Sequence, residues 1–152
     1  MTEVLTIAPD DPLDPGATAL LDASQALMRR LYSPDQNHFL SHEALRAPDV
    51  RFLTARLGDR TLGCCAVKLR DGYGEIKSFY VDEAARGHGV GQKLIEAIED
   101  LARAEAVPVL NLETGDLLDA ACRLYARMGY TRCPPFGDYE ENGASVFMTK
   151  TL

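Results

Sequence analysis

The six residues Arg86-Gly87-His88-Gly89-Val90-Gly91 constrain this chain more than any other stretch. They follow a run with the pattern of a strand, Glu75-Ile76-Lys77-Ser78-Phe79-Tyr80-Val81. They precede an amphipathic helix pattern in which Leu94, Ile95, Ile98, Leu101 and Ala102 recur at helical spacing. Glycines at the mouth of a helix let the backbone approach a ligand closely. The N–H groups of the first turn have no intrahelical partners, and the helix dipole adds partial positive charge there. Such a mouth holds anions, phosphates above all. The plain alternative is a glycine-rich turn that only caps a helix.

Two common phosphate loops are excluded. A dinucleotide fingerprint needs Gly-x-Gly-x-x-Gly, and counting from Gly87 its last place falls on Gln92. A nucleotide P-loop needs Gly-Lys-Ser/Thr, whereas Gly91 is followed by Gln92-Lys93-Leu94. The stretch instead resembles the acetyl-CoA pyrophosphate loop of the GNAT superfamily of N-acetyltransferases. That signature is Gln/Arg-x-x-Gly-x-Gly/Ala, and Arg86, Gly89 and Gly91 occupy its three fixed places.

A chain of 152 residues is expected to form one domain, residues 1–152, with a real core. A net charge of −7 argues against a general binder of nucleic acid or anionic membrane, since nothing offsets phosphate repulsion. The cysteines, Cys64, Cys65, Cys122 and Cys133, show neither C-x-x-C spacing nor a His partner. They read as reduced thiols of a cytoplasmic protein, with no metal site. Met1-Thr2-Glu3-Val4 has no export signal, and no run reaches transmembrane length.

Thr2 to Ala8 reads as a first strand. Asp14-Pro15 starts a helix, with Asp14 as N-cap, whose apolar stripe runs from Leu20 to Leu31. A polar loop from Asp35 to Leu40 and a short helix after Ser41 follow. Val50–Leu57, Thr61–Arg70 and Tyr73–Val81 form an antiparallel meander, turned by Gly58-Asp59-Arg60 and Asp71-Gly72. After the glycine-loop helix comes a buried strand, 108–113, in a right-handed crossover. Asp116 is expected to cap the next helix, with Leu117, Leu118, Ala121, Leu124, Tyr125 and Met128 as its stripe and Gly129 at its end. Tyr130–Cys133 and Ala144–Thr151 close the chain as strands around the loop 134–142. The result is an α/β domain with a mixed sheet.

This order is that of the GNAT fold, a mixed and mostly antiparallel central sheet flanked by helices, and the resemblance covers nearly the whole chain. Leu124-Tyr125 and Met128-Gly129-Tyr130 match the family's late Leu-Tyr-x-x-x-Gly-Phe/Tyr signature. Leu112-Glu113-Thr114-Gly115 and Phe136-Gly137-Asp138-Tyr139 resemble stand-alone bacterial members. The resemblance implies acetyl-CoA as cosubstrate, without a metal. Arg86, Gly87, His88, Gly89, Val90, Gly91 and Gln92 would cradle the pyrophosphate, His88 through its backbone. Phe79, Tyr80 and Val81 would pair with the pantetheine, which enters where strands 75–81 and 109–113 splay. Glu113 and Leu118 would border the cofactor. Leu118 stands where many relatives carry an Asn that contacts CoA, so one polar contact is missing.

The resemblance also implies chemistry. Tyr125 is the candidate acid that protonates the departing thiolate, against a core tyrosine as the plain alternative. Glu75, six residues before Val81 in a Glu-Ile-x-x-x-x-Val setting, is the candidate base. Period-two geometry puts Glu75, Lys77, Phe79 and Val81 on one face, so the alternative is a solvated Glu75–Lys77 ion pair. Acceptor selectivity would come from Asp35, His38, Phe39, Phe136 and Tyr139. The expected function is acetyl transfer to a primary amine of a small molecule or a peptide, directly in a ternary complex, by a monomer or homodimer. A sensor that binds acyl-CoA without turnover is the alternative from another class.

Overall fold

The computed structural model describes residues 3–152, so Thr2, at the expected start of the first strand, lies outside the described residues. Strands β1 (Leu5–Pro9), β2 (Val50–Leu57), β3 (Arg60–Leu69), β4 (Gly74–Val81), β5 (Val109–Gly115), β6 (Thr131–Arg132) and β7 (Ser145–Thr151) form one sheet. Its order is β1-β2-β3-β4-β5-β7-β6. Every neighbouring pair is antiparallel except β4 and β5. Helix α1 (Pro15–Leu31) follows β1, α2 (Val90–Ala104) crosses from β4 to β5, and α3 (Asp119–Arg127) follows β5. Single 3-10 turns occupy Pro34–Gln36, Ala44–Arg46 and Glu83–Ala85.

The core is split by the sheet. On one face, Leu94, Ile95 and Ile98 of α2 pack with Val67, Ile76, Leu110, Leu112 and Tyr125. On the other, Ala17, Leu20 and Leu21 of α1 pack with Leu45, Phe52, Cys64 and Ala66. Full burial of each large aliphatic side chain contributes roughly 1.5–3 kcal/mol. Adjacent Cys64 and Cys65 fall into opposite clusters, as strand alternation requires, and all four cysteines are free thiols.

Asp14 stands at the N-cap of α1 and Pro15 opens the helix, as expected, although the Asp14 side chain makes no capping bond; the carboxylate instead pairs with Arg56 of β2, Nη2 to Oδ2 2.7 Å. Two other sequence expectations need correction. Asp116 does not cap α3, which begins at Asp119 after Leu118. Strand β5 runs on to Gly115, and the Tyr32 hydroxyl sits in the turn beyond it. That hydroxyl donates to Asp116 Oδ1 at 3.1 Å and accepts the Leu117 N–H at 2.8 Å. A Cβ on Gly115 would lie 2.1 Å from it, so only glycine fits. Leu117 is pushed out of the expected apolar stripe and is 59% exposed.

The second correction lies in β4. Ser78 has φ 54, and the β3–β4 register shifts between Cys64 and Ala66, the signature of a bulge. The bulge breaks the alternation that would align Glu75, Lys77, Phe79 and Val81. Phe79 and Val81 instead join the α2-side core with Ile76, while Tyr80 packs toward the α1 side. Cys64 Sγ donates to the Ser78 carbonyl at 3.3 Å and holds the kink. Past the kink the two parallel strands part. β4 pairs with β5 only at Gly74, Glu75 and Ile76, opposite Leu110, Asn111 and Leu112.

Candidate active site

The glycine loop forms an open cradle at the start of α2. Gly87 and Gly89 have φ 85 and 77, left-handed values that favour glycine, and a Cβ on either would meet nothing within 4 Å. Gly89 is the N-cap of α2, and no side chain caps the helix. Among the described residues, the N–H groups of residues 87–92 find no backbone acceptor outside the helix. Gly91 does a different job. A Cβ there would sit 3.1 Å from both Leu124 and Phe79, so its small size packs α2 against α3 and β4. Arg86 is tied back, its Nε donating to the Val81 carbonyl at 3.3 Å and its guanidinium lying 5.5 Å from the Tyr80 ring centroid. His88 is exposed in the loop.

From this cradle the gap between β4 and β5 leads inward. Beyond Ile76 the β4 edge has no β5 partner, while β5 continues to pair with β7 as far as Gly115. A cavity of about 110 Å³ fills the gap, lined among others by Phe79, Glu113, Leu118 and Tyr125. Tyr125 is 4% exposed, with its ring 5.7 Å from Phe79 and 5.8 Å from Tyr130. Burial holds its hydroxyl pKa well above the usual tyrosine value, and among the described residues no side chain is bonded to it. It keeps its proton at every working pH.

On the far side lies a second pocket of about 550 Å³, between the 35–40 loop, β4 and the 137–142 loop. His38, Phe39 and Lys77 line both cavities, so the two meet there. Asp35 and Tyr139 line this pocket as well. Phe136 stands behind it, packing edge-on against Tyr139, Tyr73 and Phe147. Glu75 is 3% exposed. Its Oε2 accepts from the Tyr139 hydroxyl and from Lys77 Nζ at 3.3 Å, and Arg70 stands 4.0 Å from Oε1. The solvated ion pair that stood as the alternative for Glu75 and Lys77 is instead a buried network. Lys77 Nζ also reaches the His38 carbonyl at 3.0 Å and Tyr139 Oη at 2.8 Å.

An open loop with unpartnered N–H groups, a gap between parallel strands and a second pocket joined to it agree with what sequence comparison finds. The model of the Acetyltransferase (GNAT) family matches residues 18–130. The chain belongs to the GNAT family.

This GNAT enzyme is 38% identical to an IAA acetyltransferase of Azospirillum brasilense, over 97% of this chain and 98% of that one. It is 35% identical to the N-acetyltransferase YsnE of Bacillus subtilis, over 94% of this chain and 97% of that one. A solved acyl-CoA N-acyltransferase-type structure from Klebsiella pneumoniae superposes with a TM-score of 0.83 at 34% identity, covering 98% of each chain. A GNAT structure from Elizabethkingia anophelis, solved with acetyl-CoA bound, shares the fold at a TM-score of 0.69 and 19% identity, covering 97% of this chain and 98% of that one. Among the described residues no cluster of His, Cys, Asp and Glu could hold a metal, and no helix is long and apolar enough to cross a membrane.

Sequence reasoning missed two contributors to this GNAT site. Ser78 supplies the bulge that separates the strands, and a serine carries no signal for a positive φ. Ser145 donates to Glu113 Oε2 at 2.6 Å from the neighbouring strand β7, a pairing that register alone creates.

Proposed function

We propose that this enzyme transfers an acetyl group from acetyl-CoA to a primary amine, of a small molecule or a peptide, directly in a ternary complex within one domain spanning residues 1–152. One observation carries the reading: the gap between β4 and β5 and the 550 Å³ pocket meet at His38, Phe39 and Lys77, so two ligands can approach each other from opposite sides. The residues present fit acetyl-CoA. The unpartnered N–H groups of residues 87–92 suit its pyrophosphate, and the unpaired β4 edge from Phe79 through Tyr80 to Val81 suits an extended chain of amides. Acetyl-CoA supplies an activated acetyl thioester when bound.

The protein supplies position and protons. Holding two reactants in line removes much of the entropic barrier to their meeting. Tyr125 holds a proton on an otherwise unpartnered hydroxyl inside the gap, where it can be given to a departing thiolate. Leu118 and Phe79 add apolar side chains to the lining of the same cavity. Glu75, held by Tyr139 and Lys77, fixes the wall of the acceptor pocket.

The test is release of free thiol from acetyl-CoA across a panel of amino acids, polyamines, aminoglycosides and peptides. Turnover with a primary amine supports the reading. Tight CoA binding with no turnover on any of them would favour a sensor.

A further inference from the structure

The transfer needs a group to take a proton from the acceptor's ammonium, and Glu75 is poorly placed to do it alone. Its Oε2 already accepts from Lys77 and Tyr139, and Arg70 stands near its other oxygen. At the junction of the two cavities a different group is available. His38 lines both. Its Nδ1 lies 3.4 Å from Glu113 Oε2, and because a carboxylate can only accept, this contact assigns the hydrogen to Nδ1. Nε2 of the neutral ring is then a free acceptor, with no partner among the described side chains. Two contacts hold the ring, Glu113 at Nδ1 and the Tyr139 ring edge-on at 5.1 Å, while Lys77 Nζ holds the backbone through the His38 carbonyl at 3.0 Å. Glu113 is itself oriented by Ser145 Oγ at 2.6 Å.

We infer that His38 is the general base of this acetyltransferase, and that Glu113 is a positioning residue that sets its tautomer and steadies the imidazolium. The inference rests on the acetyl-transfer reading above. In the step, His38 Nε2 takes one proton from the acceptor's ammonium. The freed nitrogen pair forms the N–C bond to the acetyl carbonyl carbon, the C–S bond breaks, and the sulfur takes the proton that Tyr125 holds. The amide nitrogen gives up its surplus proton, which restores the Tyr125 hydroxyl, and His38 releases its own to solvent. The sum is one amide, one thiol and one proton.

The titratable groups facing His38 are Glu113 of β5, Glu75 and Lys77 of β4, Tyr139 of the late loop and Asp35 of its own loop. Ser24 and Met28 of α1, and Tyr32 just after it, line the same cavity. Among the described residues only Glu113 touches a ring nitrogen.

The experiment combines imidazole-nitrogen NMR with thiol-release kinetics between pH 6 and 10 on the full chain. The expected spectrum shows the Nδ1–H tautomer at His38 in the wild type, with the Nε2–H form gaining in Glu113→Gln. His38→Gln is expected to lower kcat/KM about 10²–10⁴-fold near neutrality, with the deficit shrinking as rising pH supplies free amine. Calorimetric acetyl-CoA affinity should change less than threefold in His38→Gln, which also certifies its fold. An Nε2–H tautomer in the wild type, or a His38→Gln pH profile parallel to wild type, overturns the base assignment alone. A wild type that releases no thiol with any amine overturns the transfer reading itself, and the base with it.

Discussion

The Tyr139 hydroxyl donates to Oε2 of Glu75, joining the late loop to the start of β4 across 64 positions of sequence. The same carboxylate oxygen takes Lys77, whose ammonium also holds the His38 carbonyl. One buried carboxylate thus ties both loops of the acceptor pocket to the sheet.

Tyr139→Phe removes the hydroxyl donor from a carboxylate that is 3% exposed. A buried acceptor that loses a partner costs about 1–3 kcal/mol. The variant should unfold in urea with its midpoint lowered accordingly, and its acceptor KM should rise more than its acetyl-CoA KM. An unchanged midpoint together with an unchanged acceptor KM would show that the loop is not anchored through this bond.

Stability should fall in alkali. Burial pushes the Cys64 thiol from 9.0 up to about 12, so the native state keeps a proton that the unfolded chain loses. Below pH 9 both states are protonated and the contribution is fully present. As pH rises from 9 towards 12 it is lost, at about 1.4 kcal/mol per pH unit. Cys65 and Tyr125, both held well above their usual values by burial, act with the same sign. Urea denaturation at several pH values checks this, and Cys64→Ala should flatten the slope by nearly one proton whatever its baseline stability. A wild-type midpoint that is flat across this range would contradict the burial of these groups.

What the chain revealed beforehand, and what it hid, divides by range. The element order, the glycine loop and the Tyr125 signature are local patterns, and periodicity and glycine placement report them. The turn at Asp116 was misread because Tyr32, far upstream, occupies it. The face of Phe79 was misread because a bulge at Ser78 interrupts the alternation. The surroundings of Glu75 were hidden because their donor arrives from a loop that no pattern links to β4. Lining residues such as Asp35, His38, Phe39 and Tyr139 were legible only as members of the loops that flank a cofactor gap.

The loop glycines should divide by experiment. Gly89→Asp faces open space, and Asp tolerates a left-handed backbone better than most residues, so the fold should survive. A carboxylate among the unpartnered N–H groups should cut CoA affinity by about tenfold or more in calorimetric titration, since it opposes a bound phosphate. Gly91→Ala should instead lower stability by about 1–3 kcal/mol through crowding of Leu124 and Phe79. Wild-type CoA affinity in a folded Gly89→Asp variant would remove the loop from the cofactor site.

The acceptor pocket carries Asp35, Asp138, Glu140 and Glu141 on its loops, against Lys68 and Arg70 on β3 and the residue after it. With the chain at −7 overall, an acceptor that is cationic in solution should be drawn in. Its KM should rise as ionic strength increases from about 0.01 to 0.15 M, over which the Debye length shrinks from about 30 to 8 Å. A best substrate that is an acidic amino acid or a neutral alcohol would refute this.

Tyr125 offers the most direct test of the chemistry. Its hydroxyl lies inside the gap between β4 and β5, keeps its proton because it is buried, and is bonded to no side chain. Phenylalanine retains the packing against Phe79 and Tyr130 and deletes only that oxygen. If the hydroxyl protonates the departing thiolate, Tyr125→Phe should lower kcat by about 10²–10⁴-fold with little change in acetyl-CoA KM. The loss should be smaller with a thioester whose thiol has a lower pKa, because such a leaving group needs less help. Since the tyrosine does not ionise in the working range, no alkaline limb in the wild-type profile should vanish in the variant. Full turnover by Tyr125→Phe, with chemistry shown to be rate-limiting by single-turnover measurement, would make Tyr125 a packing residue and leave the thiolate to be protonated by solvent.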